Sequence, residues 1–282
     1  TVIDNREQRH ILDRATVPEH ALTLMESVSG GEPFWIEGLL CFSRGDWLVV
    51  VGYPLEGEAL EPSGLEGALL RILERFQPRY ASVVAPRVPK TPAASSRERD
   101  RDVYYTVSLE GFRPGEKARR AARRAAREVR VERARTMGEA HRELSREFLA
   151  RVRPPHRVQD LLWKMPRFAA GAGEALVLNA RDEQGRLSAF WVADLEPGPF
   201  ATYVIGCHSR RRYVPGASDL LCSELLRLSR EQGKRFVHLG LGLTPGIRRF
   251  KEKWGGVPGP GYEAVELVLR RPSLLDVLRG LR

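Results

Sequence analysis

The chain has 282 residues and 31.8 kDa, with 42% apolar and 29% charged residues and a formal net charge of +10. This is enough apolar material for one large domain or two ordinary ones, and it excludes disorder throughout. No apolar run approaches the roughly 18–20 residues of a membrane span, and the polar opening TVIDNREQRH predicts no cleavable signal.

In chain order, residues 16–27 predict a short helix through Val17, Ala21, Leu24 and Met25. Residues 34–42 and 47–53 read as strands joined by Ser43-Arg44-Gly45-Asp46. Pro62-Ser63-Gly64 precedes a helix over residues 65–76, where Leu65, Leu69, Ile72, Leu73 and Phe76 keep helical spacing; Pro78 stops it. Residues 80–85 predict a strand, residues 88–102 a loop rich in Pro, Ser and charge, and residues 103–109 another strand.

Residues 117–135 hold nine basic and two acidic side chains, +7 of the net +10. Ala118, Ala121, Ala122, Ala125, Ala126 and Val129 draw one narrow apolar stripe on a predicted helix. Arg119, Arg120, Arg123, Arg124, Arg127 and Arg130 fall on the opposite face. Two readings stand side by side: a site for a polyanion such as RNA, a nucleotide or a lipid head group, or a solvated helix face.

Helices follow over residues 139–152 and 159–168, then strands over 175–180, 187–194 and 200–206 joined by tight turns, an antiparallel meander. The loop HSRRRYVPG leads to a helix over residues 217–232 with a Leu221, Leu225, Leu228 seam and Gly233 as its stop. A strand over 235–239, a short helix over 245–254, a strand over 263–269 and a basic tail helix over 272–281 complete the chain.

Three cysteines at wide spacing (Cys41, Cys207, Cys222) form no disulfide framework and point to a reducing, cytoplasmic setting. No ligand-spaced Cys or His set predicts a metal site. Cys207-His208 resembles a nucleophilic pair, but adjacent strand residues point to opposite faces, which favours a structural reading.

The order strand, strand, strand, helix, strand, helix, strand is the plan of the GNAT acyltransferase fold, one of several mixed options on pattern alone. Residues 214–256, VPGASDLLCSELLRLSREQGKRFVHLGLGLTPGIRRFKEKWGG, resemble the signature of bacterial tandem-GNAT transferases. Those families include the Fem peptidyltransferases and the C-terminal domain of phosphatidylglycerol lysyltransferases. The shared features are a Pro-containing approach to a helix, a Gly at its end, a strand ending in Gly, and Phe250-Lys251-x-x-Trp254-Gly255. WLVVVGYPLEGE, residues 47–58, looks like the strand and turn of the first half in the lysyltransferase relatives, and the Arg-rich segment resembles the basic stretch between their halves. Two positions depart from the pattern. His238 stands where many relatives carry an acidic residue, and the segment from Arg211 to Ala217 is a loose relative of the usual phosphate loop, with Pro215 in place of a second Gly.

The resemblance implies an α/β (α+β) fold of two GNAT-like halves, each a mixed central sheet flanked by helices. The implied division is residues 1–112, a connecting basic helix over 113–136, and residues 137–282. It implies an acyltransferase moving an aminoacyl group from aminoacyl-tRNA to an amine or hydroxyl acceptor on a cell-wall precursor, lipid or peptide. Acyl-CoA is the alternative co-substrate; no tightly bound cofactor is implied. A reading from another class is a non-catalytic module that binds RNA or an anionic membrane surface.

Lys251 matches the Fem-family lysine that stabilises the oxyanion of acyl transfer; its plain alternative is a surface lysine. His238, at a strand end, is a general base or hydrogen-bond donor facing a cleft, or a satisfied structural histidine. Arg210, Arg211 and Arg212, with Tyr213 and Gly216, precede the helix at residue 217 and suit a phosphate; Ser218 suits a cap or a ligand contact. Phe250 is expected to pack under the site, and Trp191 and Tyr203 to line the cleft or the core.

Overall fold

The computed structural model describes residues 3–58, 60, 64–90, 94–171 and 173–269. The strands are β1 (Glu32–Ile36), β2 (Leu39–Arg44), β3 (Trp47–Val51), β4 (Tyr80–Ala85), β5 (Ala94–Ser108), β6 (Arg130–Ala134), β7 (Ala175–Arg181), β8 (Leu187–Asp194), β9 (Phe200–His208), β10 (Phe236–Leu241) and β11 (Val257–Leu269). The helices are α1 (Asn5–Asp13), α2 (Leu22–Ser29), α3 (Gly64–Phe76), α4 (Glu116–Ala125), α5 (Glu139–Val152), α6 (His156–Ala169), α7 (Ala217–Glu231) and α8 (Pro245–Lys253). The expected mixed α+β class is observed, and no described helix is long and apolar enough to cross a membrane.

The eleven strands described form one sheet, in the order β1-β2-β3-β4-β11-β5-β10-β9-β8-β7-β6. Each half runs an antiparallel meander into a parallel pair, β3 with β4 across α3 and β9 with β10 across α7. The last strand of each half then crosses over. β11 zips onto β4, and β5 pairs with both β11 and β10. The exchange makes the two sheets continuous.

β5 starts nine residues before the expected strand at 103, inside the segment expected to be a loop. The ladder pairs Arg99 with Val265, Arg101 with Glu263 and Asp102 with Tyr262. The sequence there alternates acid and base without an apolar period, so its strand character comes from the partner strand. Glu263 is 4% exposed at its side chain and takes Arg99 Nη1 at 2.6 Å and Arg101 Nε at 2.7 Å on Oε1. Its Oε2 accepts the Val88 N–H at 2.6 Å.

Other differences have local causes. α1 was not anticipated, because Ile11 is its only buried residue; it is set by a capping box, with Asp4 Oδ1 accepting the Arg6 and Glu7 N–H groups. The expected single strand at 34–42 is a hairpin, turning at Glu37 and Gly38, both with positive φ. A turn of Pro18–His20 and then α2 replace the helix at 16–27. The basic helix ends at Ala125 rather than residue 135; Val129 and Val131 then alternate with charges, and Arg130 stands on edge strand β6. The tail helix at 272–281 lies outside the described residues.

The Ala stripe of α4 packs on α7, with Ala118, Ala122 and Ala125 buried in the core under β8, β9 and β10. Contact is close enough that a Cβ on Gly216, φ +87°, would stand 2.4 Å from the Ala121 carbonyl oxygen.

Burial raises the Glu263 pKa, but Arg101, the Val88 N–H and Arg99 outweigh it and hold the carboxyl at about 2, below its ordinary 4.5. A depressed carboxyl stabilises the fold fully above its unfolded pKa and loses that contribution as pH falls. The stability difference between wild type and Glu263→Gln is therefore expected to be largest above about pH 4.5 and to shrink by up to about 3 kcal/mol toward pH 2. Urea unfolding at a series of pH values measures it; a difference that does not change with pH contradicts this role.

Candidate functional site

The parallel pair of the first half is closed. β3 and β4 register from Trp47 with Tyr80 through Val51 with Val84, and the Gly52 N–H still reaches the Val84 carbonyl at 2.6 Å. A Cβ on Gly52 would meet Ala85 Cβ at 2.8 Å, so no group passes there. The second half differs. β9 and β10 pair only from Phe200 with Phe236 to Thr202 with His238, and then part. Tyr203, Val204, Gly206, Gly240 and Leu241, along the parting, are half-buried rather than buried.

The local cause lies in β10. Gly240 has φ +71°, and the register with β5 shifts between His238 and Leu241. Leu243 has φ +29°, a strained value for a side chain with a Cβ. Asp102 of β5 holds this bend, accepting the Leu243 N–H at 2.7 Å on Oδ2.

The bend launches α8, and the Phe-Lys-x-x-aromatic-Gly sequence acquires a physical meaning. Thr244 caps the helix through the Ile247 N–H. Trp254 is fully buried and donates Nε1–H to Asp219 of the first turn of α7 at 2.8 Å, with Lys253 paired to the same carboxylate. Gly255, φ +78°, turns the chain against Phe112. Phe250 packs edge-on to Trp191 at 6.0 Å, and Trp191 lies 4.3 Å from Tyr203. Thus anchored, α8 sends Lys251 inward.

Lys251 is 3% exposed and is not a surface lysine. Its Nζ donates to the Leu241 carbonyl at 2.5 Å and lies 5.7 Å from the Tyr105 ring centroid. A Cβ on Gly240 would sit 3.8 Å from Nζ and 3.6 Å from the Tyr203 carbonyl, which places the ammonium at the parting of the strands. Burial pushes its pKa down to about 7, against the pull of Asp102.

His238 is 1% exposed. Its Nδ1 accepts the Gly240 N–H at 3.2 Å, so Nε2 carries the proton. Nε2 has no hydrogen-bond partner among the described residues. Burial, then the Lys251 charge, pushes its pKa down to about 3, so the ring is neutral near pH 7. The same row of the sheet holds Thr202 and Asp194, whose Oγ1 and Oδ2 are also buried and unpartnered. Tyr104 meets the His238 ring edge-on at 4.7 Å and donates its hydroxyl to Glu19 Oε2 at 2.7 Å. Sequence reasoning missed Glu19, Thr202 and Asp194. Glu19 sits in a three-residue turn with no periodicity, and Thr202 and Asp194 gain meaning only from the pairing of β8, β9 and β10.

The loop before α7 is arranged otherwise than a phosphate cradle. The N–H groups of Arg210 and Arg211 and the Ser209 hydroxyl all donate to the Glu147 carboxylate of α5. The carboxylate of this chain thus occupies the loop's donors. Arg212 donates Nε–H to the Leu187 carbonyl at 3.3 Å, and Arg211, Arg212 and Tyr213 line a groove of about 440 Å³ opposite Asp182, Glu183 and Glu128. Gly216, not Ser218, is the N-cap of α7. Cys207 is buried, with its thiol pushed up to about 12 by burial, while His208 turns to Arg151.

All six arginines of the rail are exposed. Arg119 and Arg123 pair with Glu116; Arg120, Arg124, Arg127 and Arg130 have no ion pair among the described residues.

No family model and no curated protein sequence matches the chain. Its fold is shared with solved structures. The C-terminal domain of a protein assigned as a lysylphosphatidylglycerol synthetase from Agrobacterium fabrum is 16% identical, with a TM-score of 0.59 over 93% of this chain and 92% of that one. L-PGS from Bacillus licheniformis is 17% identical, TM-score 0.54, over 99% and 95%. FemX is 11% identical, TM-score 0.55, over 99% of both chains. The tandem GNAT-like fold that the sequence motif implied is the fold observed.

Proposed function

We propose that the protein is an acyltransferase whose reaction site is the parting of β9 and β10, and that it moves an aminoacyl group from aminoacyl-tRNA to an amine or hydroxyl acceptor. The observation that carries this reading is the buried Lys251 ammonium delivered to that opening, while the first half is shut at the corresponding place. Its fold neighbours, a lysylphosphatidylglycerol synthetase and FemX, agree with it.

In acyl transfer the acceptor attacks an activated carbonyl, and negative charge collects on the carbonyl oxygen. An ester is activated already, so a fixed cation in a dry site supplies the main stabilisation. Lys251 is such a cation, held by the Leu241 carbonyl. The neutral His238 offers an N–H donor from the other face. A phosphate-rich donor meets the exposed rail of Arg120, Arg124, Arg127 and Arg130, whose charges repel one another until a polyanion joins them. The Glu147 carboxylate of α5, seated on the loop before α7, favours this donor over acyl-CoA, since a pyrophosphate there would have to displace it.

Lys251→Ala is expected to lower single-turnover transfer about 100-fold or more while leaving the affinity for aminoacyl-tRNA within a few-fold. Full turnover in the variant removes Lys251 from the mechanism. Preference for charged over deacylated tRNA and duplex RNA in filter binding supports the donor; saturable binding of CoA, or equal binding of all three RNAs, overturns it.

The pH profile tests the charge state. Because the Lys251 pKa lies at about 7, the cation is fully present below pH 7 and lost above it. The wild-type to Lys251→Ala rate ratio, in which the titration of the acceptor cancels, should fall about tenfold per pH unit above 7. A ratio that rises with pH would make Lys251 a proton acceptor instead.

A further inference from the structure

A cleft of about 460 Å³ opens on the first half, between the first turn of α3, the chain leaving β4 and strand β5. Its charged walls are Glu66, Arg87, Lys90, Arg99 and Arg101. The segment after β4 is pinned from below. Pro86 crosses β11 at Gly261, where a Cβ would stand 3.1 Å from the Pro86 carbonyl oxygen. Val88 is buried in the core under α3, and its N–H donates to Glu263. Arg87 and Lys90, beside that anchor, are exposed and have no ion pair among the described residues.

Arg99 and Arg101 are held differently. The buried Glu263 carboxylate takes Arg99 Nη1 and Arg101 Nε on one oxygen, so it orients both guanidinium groups from behind. Arg99 Nε and Nη2 and both Nη atoms of Arg101 have no partner among the described residues. Those donors are fixed before any ligand arrives, which lowers the entropy lost on binding one. Four cations here face two carboxylates, Glu66 and Glu263, a surplus of two positive charges. Strand alternation puts Arg99, Arg101 and Tyr105 on one face of β5, and Tyr105 is the ring beside the Lys251 ammonium. Arg101 stands four residues along the strand from Tyr105, roughly 13 Å, so the cleft is separate from the strand opening.

Pre-oriented guanidinium groups with an ammonium beside them are the donors that recognise a phosphate group. A phosphomonoester carries about two negative charges near pH 7, whereas a phosphodiester carries about one. We propose that Arg87, Lys90, Arg99 and Arg101 bind a dianionic phosphate group, free or as the monoester of a small molecule, at a site apart from the reaction site. The proposal rests on the first half alone and not on the transfer reading.

The test is titration of the full-length protein, in chloride at physiological ionic strength, with inorganic phosphate, glycerol 3-phosphate and dimethyl phosphate. Calorimetry reads the affinity and amide NMR shifts locate the site. Saturable binding of a dianion that shifts the Val88, Lys90 and Arg101 amides, with dimethyl phosphate about tenfold weaker or worse, supports the site. The double variant Arg87→Ala/Lys90→Ala should weaken that binding about tenfold or more. Both side chains are exposed and neither touches Glu263, so the fold is kept. Arg153→Ala/Arg167→Ala removes the same charge from other exposed positions and should leave binding within about twofold. Inorganic phosphate binding as tightly as glycerol 3-phosphate, or more tightly, assigns the free ion as the ligand; tighter glycerol 3-phosphate binding assigns a monoester. No saturable binding, dimethyl phosphate binding as well as the monoester, or equal losses in the two double variants overturns the proposal. Neither result bears on Lys251.

Discussion

The antiparallel ladder between β5 and β11 is the constraint on which the rest of the molecule depends. It ties the end of each half into the sheet of the other and runs from Leu269 opposite Ala94 to Val257 opposite Thr106. Without it the facing edges of β5 and β11 would both be bare, with rows of unsatisfied backbone groups. The same ladder sets the site. By placing Tyr104 opposite Leu241 and Thr106 opposite His238, β5 supplies the wall against which β10 bends. Asp102 of β5 then fixes the bend that starts α8. Position along β5 therefore decides where Lys251 points, although the two lie far apart in sequence.

The two halves share a plan and differ in how their parallel pairs continue. β3 and β4 stay zipped through Val84, with Gly52 pressed on Ala85. β10 carries Gly240 at the corresponding position, and the strands part. A left-handed glycine costs little, whereas a β-branched residue would resist that turn. The first half reads as a closed buttress that contributes Tyr53, Glu19 and the strand β5 to the centre. The second half carries the opening, the buried cation and the polar row of Asp194, Thr202 and His238. Burying that row with unpartnered atoms lowers stability, and such local sacrifices gather where a protein acts rather than where it merely folds.

Much of this was legible in the sequence, for physical reasons. The meander of β7, β8 and β9 shows because its runs are apolar and its turns tight, and the α8 motif shows because Phe250, Lys251, Trp254 and Gly255 each have a distinct duty. The Ala stripe marked the face of α4 that packs closely on another element, and that element is α7. What failed was non-local. Arg99 and Arg101 look like loop residues until Glu263, 164 and 162 positions away, is set beside them. Glu19 and Asp194 look like surface acids until the strands are ordered. The phosphate loop at Arg210 to Arg212 looked open because nothing in its own sequence shows that Glu147 fills it.

The charge distribution completes the account. Positive charge gathers on the outer rail, and the buried Lys251 ammonium lies at the strand opening. The most direct measurement is amide hydrogen exchange with and without a non-hydrolysable amide-linked aminoacyl-tRNA. The account predicts slowed exchange at residues 203–206 and 239–242, with residues 52–54 and 84–86 of the first half unchanged. Slowed exchange in the first half instead, or in neither, would contradict the placement of the reaction between β9 and β10.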